Sequence, residues 1–131
     1  MEQREINPWT WQEPFGFSQA VEVEGARKML FVSGQAAIDA EGKPAHAGDM
    51  GRQVKMALDH LQTVLEQART STGNVVKVVV YTTDVDALLP HWDQIKARLR
   101  LPGGPFASTL VGVTRLAFAE LMVEIEAVAV R

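Results

Sequence analysis

The chain reads as an α+β domain with one sheet and both helices packed on one face of it. Short runs with period-two alternation or a high β-branched content mark five strands, at 17–24, 29–32, 75–83, 107–114 and 121–130. Two stretches, at 49–69 and from Asp86 or Ala87 to about Leu99, carry apolar residues at helical spacing. The resulting order, β-β-α-β-α-β-β, is most simply layered as two helices against a sheet. With 131 residues and no repeat, linker or low-complexity segment, residues 1–131 form a single domain with one core.

The first fifteen residues, with Pro8, Pro14, Trp9 and Trp11, read as an irregular lead-in. From Phe17 to Glu24, Val21 and Val23 alternate with Glu22 and Glu24, the pattern of a half-buried strand. Glu24-Gly25-Ala26-Arg27 has the composition of a hairpin turn. A second strand, Met29 to Val32, runs into Ser33-Gly34-Gln35, and Ala40 to Pro44 is another turn. In the first helix Val54, Leu58, Leu61, Leu65 and Ala68 form the stripe and Ala57 and Val64 widen it. Asp49 is its N-cap, and Thr70 to Gly73 ends it. The valine strand at 75–83 should turn Val76, Val78 and Val80 to one side and Lys77, Val79 and Tyr81 to the other. The second helix presents Leu88, Trp92, Ile95 and Leu99 on one face, with Pro90 confined to its first turn. Residues 101–105 break the chain before the last two strands.

Composition narrows the function classes. The chain is 47% apolar with a net charge of −3, has no long basic run and contains no cysteine. Disulfides, thiolate nucleophiles and cysteine-ligated metals are therefore excluded. His46, His60 and His91 lack ligand spacing, and His60 falls off the apolar stripe of its helix, so it should be exposed; no metal site and no cofactor are expected. The polar, proline-broken start is not a secretory signal and no apolar stretch would span a bilayer, so no membrane partner and a cytoplasmic location are expected. The second, valine and last strands are apolar on both faces, and a sheet with helices on one side leaves the other side uncovered. That implies an oligomer.

Three segments carry a resemblance: Ser33-Gly34-Gln35, Tyr81-Thr82-Thr83-Asp84-Val85 and Val123-Glu124-Ile125-Glu126-Ala127-Val128-Ala129-Val130. With the helix spacing between them they resemble the Rid (YjgF) family, also described as endoribonuclease L-PSP-like, from about Phe17 onward. The resemblance implies a chorismate-mutase-like fold and a homotrimer with ligand clefts between subunits. It also implies hydrolysis of reactive enamines and imines, such as 2-aminoacrylate, to the keto acid and ammonia. Members have also been described as endoribonucleases, translation inhibitors or aminomuconate deaminases. In the imine deaminases an arginine that grips the substrate carboxylate opens the penultimate strand; here the segment is Pro105-Phe106-Ala107-Ser108-Thr109, and Ser108 stands in that place. Phe17 matches a position that is usually tyrosine, and Trp92 matches an asparagine of the second helix.

By pattern alone Glu124 is a solvent-facing glutamate on an alternating strand; the resemblance makes it the carboxylate that orients water or shuttles protons. Phe17, Ser33, Gly34, Trp92, Ser108 and Thr109 are the expected ligand contacts. For Gly34 the physical reason is that a residue without a side chain lets a ligand approach the backbone. Ser108 has no His–Asp pattern around it and is not read as a nucleophile. Glu126 is left structural. Arg115 could supply the missing charge, or be a solvated loop residue. Three functions compete: a cofactor-free hydrolase of a small enamine, imine or related C–N compound, a trimer that binds a small metabolite without turnover, and an RNA-cleaving protein. The last ranks lowest, because the chain is acidic and has no paired His/His or His/Lys arrangement. Without the arginine, small imino acids should be poor substrates and neutral or larger compounds better ones.

Overall fold

The computed structural model describes residues 1–100 and 106–131. Its strands are β1 (Glu2–Ile6), β2 (Ala20–Glu24), β3 (Met29–Ala36), β4 (Val75–Thr82), β5 (Ala107–Gly112) and β6 (Val123–Val130). Its helices are α1 (Met50–Gln67), α2 (Val85–Leu88) and α3 (Trp92–Arg100). The main sheet has four strands in the order β3-β6-β4-β5. β6 runs antiparallel to both neighbours, whereas β4 and β5 are parallel, as a strand–helix–strand crossover requires. One apolar core lies between α1, α3 and one face of this sheet. Val54, Leu58, Leu61 and Leu65 meet Val78, Val80 and Ile125 there, with Leu88, Ile95 and Leu99 from the second helical segment. This is the expected α+β layering.

Four local expectations are corrected. The lead-in is not irregular throughout. β1 pairs antiparallel with β2, from Glu2 opposite Glu24 to Ile6 opposite Ala20. Glu-Gln-Arg-Glu-Ile has no apolar alternation to reveal a strand. Its backbone ladder is supplemented by Arg4, which pairs with the directly opposite Glu22 at 3.1 Å. The segment 24–27 does not close a hairpin between β2 and β3. Gly25 takes φ +74°, and Arg27 and Lys28 then donate their N–H groups to the Arg131 carbonyl, so β3 joins β6 instead. The second helix is broken: Asp84 caps α2, but Pro90 holds Leu89–His91 in a 3₁₀ turn before α3 begins. In β4 a register shift between Val75 and Lys77 makes Val75, Val78 and Val80 the fully buried valines and leaves Val76 partly exposed. The break expected at 101–105 lies outside the described residues.

The first helix follows its sequence signals. The Asp49 carboxylate accepts from the Arg52 N–H at 3.0 Å, and the stripe predicted from periodicity is the buried one. His60 is not free on the surface; its Nε2 lies 2.9 Å from the Ile38 carbonyl and the residue is partly buried. Among the described residues no helix is long and apolar enough to cross a membrane.

Gln53 is a polar residue within the same stripe and is fully buried. Its Nε2 donates to the carbonyls of His46 (3.2 Å) and Glu120 (2.8 Å), and its Oε1 accepts from the Met122 N–H at 2.8 Å. One amide thus ties the loop before α1 to the loop that leads into β6. Gln53→Leu, of similar size, strands the Glu120 carbonyl and the Met122 N–H in an apolar setting, while the His46 carbonyl keeps the Asp49 N–H at 3.0 Å. The expected cost is about 2–4 kcal/mol, read as a lowered urea midpoint with an unchanged slope. A loss below about 0.5 kcal/mol would mean that the clamp contributes nothing.

Candidate functional site

The strand β6 divides the candidate residues between the two faces of the sheet. Val123, Ile125, Ala127 and Ala129 are buried, while Glu124, Glu126 and Val128 turn to the face without helices. On that open face Tyr81 lies opposite Glu124, Val79 opposite Glu126 and Phe31 opposite Val128. Phe31 is 73% exposed.

Opposite Glu126, the register of β3 shifts between Val32 and Gln35, placing Ser33-Gly34 in a bulge. The bulge explains why glycine is needed. A Cβ on Gly34 would stand 2.6 Å from Glu124 Cδ and 2.7 Å from its Cγ, and closer still to Oε1. The carboxylate therefore sits against bare backbone, beside the exposed Ser33. The Tyr81 hydroxyl donates a short hydrogen bond to Glu126 Oε1, diagonally across the strands. That bond, then desolvation and then the negative charges of Glu126 and Glu124, raise the Tyr81 pKa above its usual value. Tyr81 and Glu126 thus form a fixed pair next to Glu124, a link missed in the sequence although all three lie in the motifs quoted above.

The remaining expected contacts gather on the helix side, at the outer edge of β5. Ser108 lies opposite Val78 in register and so shares its face. It lines a pocket of about 390 Å³ together with Phe17 and Trp92. Trp92 is a buried wall residue whose Nε1 donates to the Phe15 carbonyl at 2.9 Å. The segment before β2 reaches this edge because Ser18 bridges Ala107 and its N–H donates to the Phe106 carbonyl. Ser108 Oγ is buried and has no hydrogen-bond partner among the described residues. Thr109, next along β5, faces the other way and accepts from Lys77 Nζ at 3.1 Å. Arg115 is exposed on the loop after β5 and is not among the residues lining the pocket.

The structure therefore brings together Phe17, Trp92 and Ser108 in one group, and Ser33, Gly34 and Glu124 in another. Within one chain the two groups lie on opposite faces of the sheet, so no single-chain cleft holds Ser108 and Glu124 together. Sequence reasoning also missed Trp11, Phe15 and Leu89, which complete the pocket wall. For Trp11 and Phe15, large apolar residues in a polar lead-in were the available signal. Among the described residues no cluster of three or more metal-ligating side chains occurs.

A family model described as endoribonuclease L-PSP matches residues 12–131. A RutC family protein of Pyrococcus abyssi is 32% identical over 118 residues, covering 89% of this chain and 88% of its own length. This chain belongs to the Rid/YjgF family. A Yersinia pestis structure, YyfB, described as a protein of unknown function of the conserved Rid family, superposes with a TM-score of 0.88. It is 35% identical, with complete coverage of both chains. A Mycobacterium tuberculosis member of the YjgF/YER057c/UK114 family, 24% identical over 99% of this chain and all of its own, shares the fold at a TM-score of 0.65.

Two outcomes test the open-face geometry. Tyr81 is the only tyrosine, so phenolate absorbance reports it alone. Its titration midpoint should lie above the ordinary value of 10.0, and Glu126→Gln should lower it. Because folding raises this pKa, the linked stability is fully present below the unfolded value and is lost as pH rises through the folded one. An unchanged midpoint in the variant would remove the pairing. The second outcome concerns Gly34→Ala, whose new methyl meets the end of a flexible side chain. It should displace the Glu124 carboxylate, seen as a shifted ¹³C carboxyl resonance, at a stability cost of no more than about 1 kcal/mol. A cost of several kcal/mol would place the conflict in the backbone.

Proposed function

We propose that this protein is a Rid-type hydrolase that converts a small enamine, imine or related C–N compound to a carbonyl compound and ammonia, in a cleft between copies of the chain. The observation that carries the reading is Glu124, held against the bare backbone of Gly34 on an uncovered sheet face. A side-chain methyl at residue 34 would take the space the carboxylate occupies, so glycine there serves the placement of a charged group.

The chemistry needs little else. Water adds to the carbon of the protonated C=N group, and the π pair moves to nitrogen. Glu124 accepts the proton lost by the adding water and returns one to nitrogen. The C–N bond then breaks with its pair leaving on ammonia, while the hydroxyl of the intermediate becomes the carbonyl and passes its proton to Glu124. No cofactor is required, because the protonated imine is already electrophilic.

The arrangement between copies follows from the two faces. The Glu124 group and the Ser108 group can share a cleft only if the open face of one chain meets the pocket edge of another. Phe31, 73% exposed beside Val79 and Val128, supplies the apolar surface such a contact would cover. A threefold ring of this heterologous contact would close on itself as a homotrimer. The serine in place of the family's arginine supports a second reading, a trimer that binds a small metabolite without turnover.

The test uses imines made in place by an amine oxidase, which leaves no carboxylate, and survivors trapped with semicarbazide. Hydrolysis should fall about 100-fold in Glu124→Gln. Ser108→Trp, which fills the pocket, should also abolish it. Co-refolding the two variants in equal amounts should restore about a quarter of the clefts, since each cleft draws one half from each of two chains. A light-scattering mass of one chain at micromolar concentration, or no restoration, would overturn the shared cleft. Binding without hydrolysis by the unaltered protein would leave the metabolite-binding reading.

A further inference from the structure

The pocket at the edge of β5 is more elaborate than a site for a two- or three-carbon substrate would need. Its wall is aromatic. Trp11 meets Phe17 edge to face at 5.9 Å, and Phe15 lies 6.5 Å from the Phe17 ring. Leu89, Leu110 and Trp92 complete it. Trp11 is 62% exposed, Phe15 42% and Leu89 44%, so this is apolar surface left open around a concavity, the usual mark of a ligand site.

The wall is fixed in place by polar groups behind it. Gln12 is buried, with its Nε2 on Asn7 Oδ1 (3.1 Å) and its Oε1 taking a hydrogen bond from Gln19 Nε2 (3.0 Å). That network anchors the neighbouring Trp11. The Trp92 Nε1 bond anchors Phe15 in the same way, and Lys96 Nζ is occupied by the Pro14 carbonyl at 3.1 Å. Ligand binding would therefore not have to order these rings.

The polar inventory facing the space is small. Ser108 and Gln19 are the polar residues among the described lining; Ser108 Oγ is buried without a partner, and Gln19 Nε2 already donates to Gln12, so a turn of the Ser108 side chain presents the free hydroxyl. No Lys, Arg or His is among the described residues lining the pocket. A carboxylate placed here would lose water and gain no cation, whereas a neutral amide, imine or carbonyl would satisfy the hydroxyl.

We infer that this pocket takes a neutral ligand with an aromatic or flat apolar body and one hydrogen-bonding group. In the hydrolase reading, on which the substrate assignment rests, that ligand is an imine bearing a ring and no carboxylate.

The test is binding to the full-length protein by calorimetry, with three probes: phenylacetamide, phenylacetate and acetamide. Phenylacetamide should bind at least about tenfold more tightly than phenylacetate, which has the same shape and a charge, and than acetamide, which has no ring. Trp11→Ala, a change at an exposed residue, should weaken phenylacetamide about fivefold. Ser108→Ala should weaken phenylacetamide but not ethylbenzene, and Ser108→Arg should reverse the preference toward phenylacetate. Equal or tighter binding of phenylacetate by the unaltered protein would overturn the inference. So would indifference to Trp11→Ala, or no saturable binding up to ~10 mM. Turnover of a benzylamine-derived imine is scored separately. Binding of phenylacetamide without turnover removes the hydrolase and leaves the pocket assignment standing. Turnover of small imino acids without phenylacetamide binding does the reverse.

Discussion

The alternation of β6 is the constraint on which both halves of the molecule depend. Every second residue from Val123 to Ala129 is buried and apolar, and the residues between them include both glutamates of the open face. The strand is hydrogen-bonded on both sides, to β3 and to β4, so it cannot rotate to relieve a mismatch. A one-residue slip would drive Glu124 and Glu126 into the core against Leu58 and Leu61 and bring Ile125 out. Burial of the apolar half therefore fixes the position of the charged half. The sheet needs no separate device to point Glu124 outward.

The glutamate's final position comes from an irregularity in the neighbouring strand. The bulge at Ser33-Gly34 adds a residue to β3 and bends it beside β6. The extra residue and the missing side chain together make a seat for the carboxylate. Tyr81 and Glu126 flank the same seat from the other side of the strand. At the far edge, β5 divides its own short polar residues by the same period of two, Ser108 toward the pocket and Thr109 toward Lys77.

Much of this was legible in the sequence because core formation leaves a periodic trace. The α1 stripe, its Asp49 cap, the valine strand and the two-faced last strand all follow from spacing. What escaped is stabilised by interactions without such a trace. β1 is held by a backbone ladder and an exposed Arg4–Glu22 pair, which any polar segment could imitate. The break at Pro90 reflects competition between helix propagation and a missing N–H, which periodicity does not weigh. Gln53 was visible as a polar residue on an apolar stripe, but its partners at His46, Glu120 and Met122 come from distant parts of the chain. The site was legible mainly through its motifs. That Ser108 and Glu124 occupy opposite faces could have been counted from strand parity only with the register in hand.

The segment before β2 lies outside the main sheet. It touches that sheet through Ser18 and reaches the helices through Phe15 and Lys96, while its own shape is set by amides. Trp11 and Phe15 project from it with much of their surface in solvent, so exchanging them removes little from the core. This part of the pocket wall is thus separable from the fold, whereas Trp92, Ser108 and Leu110 belong to both. Selection can alter the size and character of the wall there with little effect on the stability margin, whereas any side chain at Gly34 displaces the Glu124 carboxylate. A scaffold built this way varies unevenly, with the exposed pocket wall free to drift while the strand that carries Glu124 stays put.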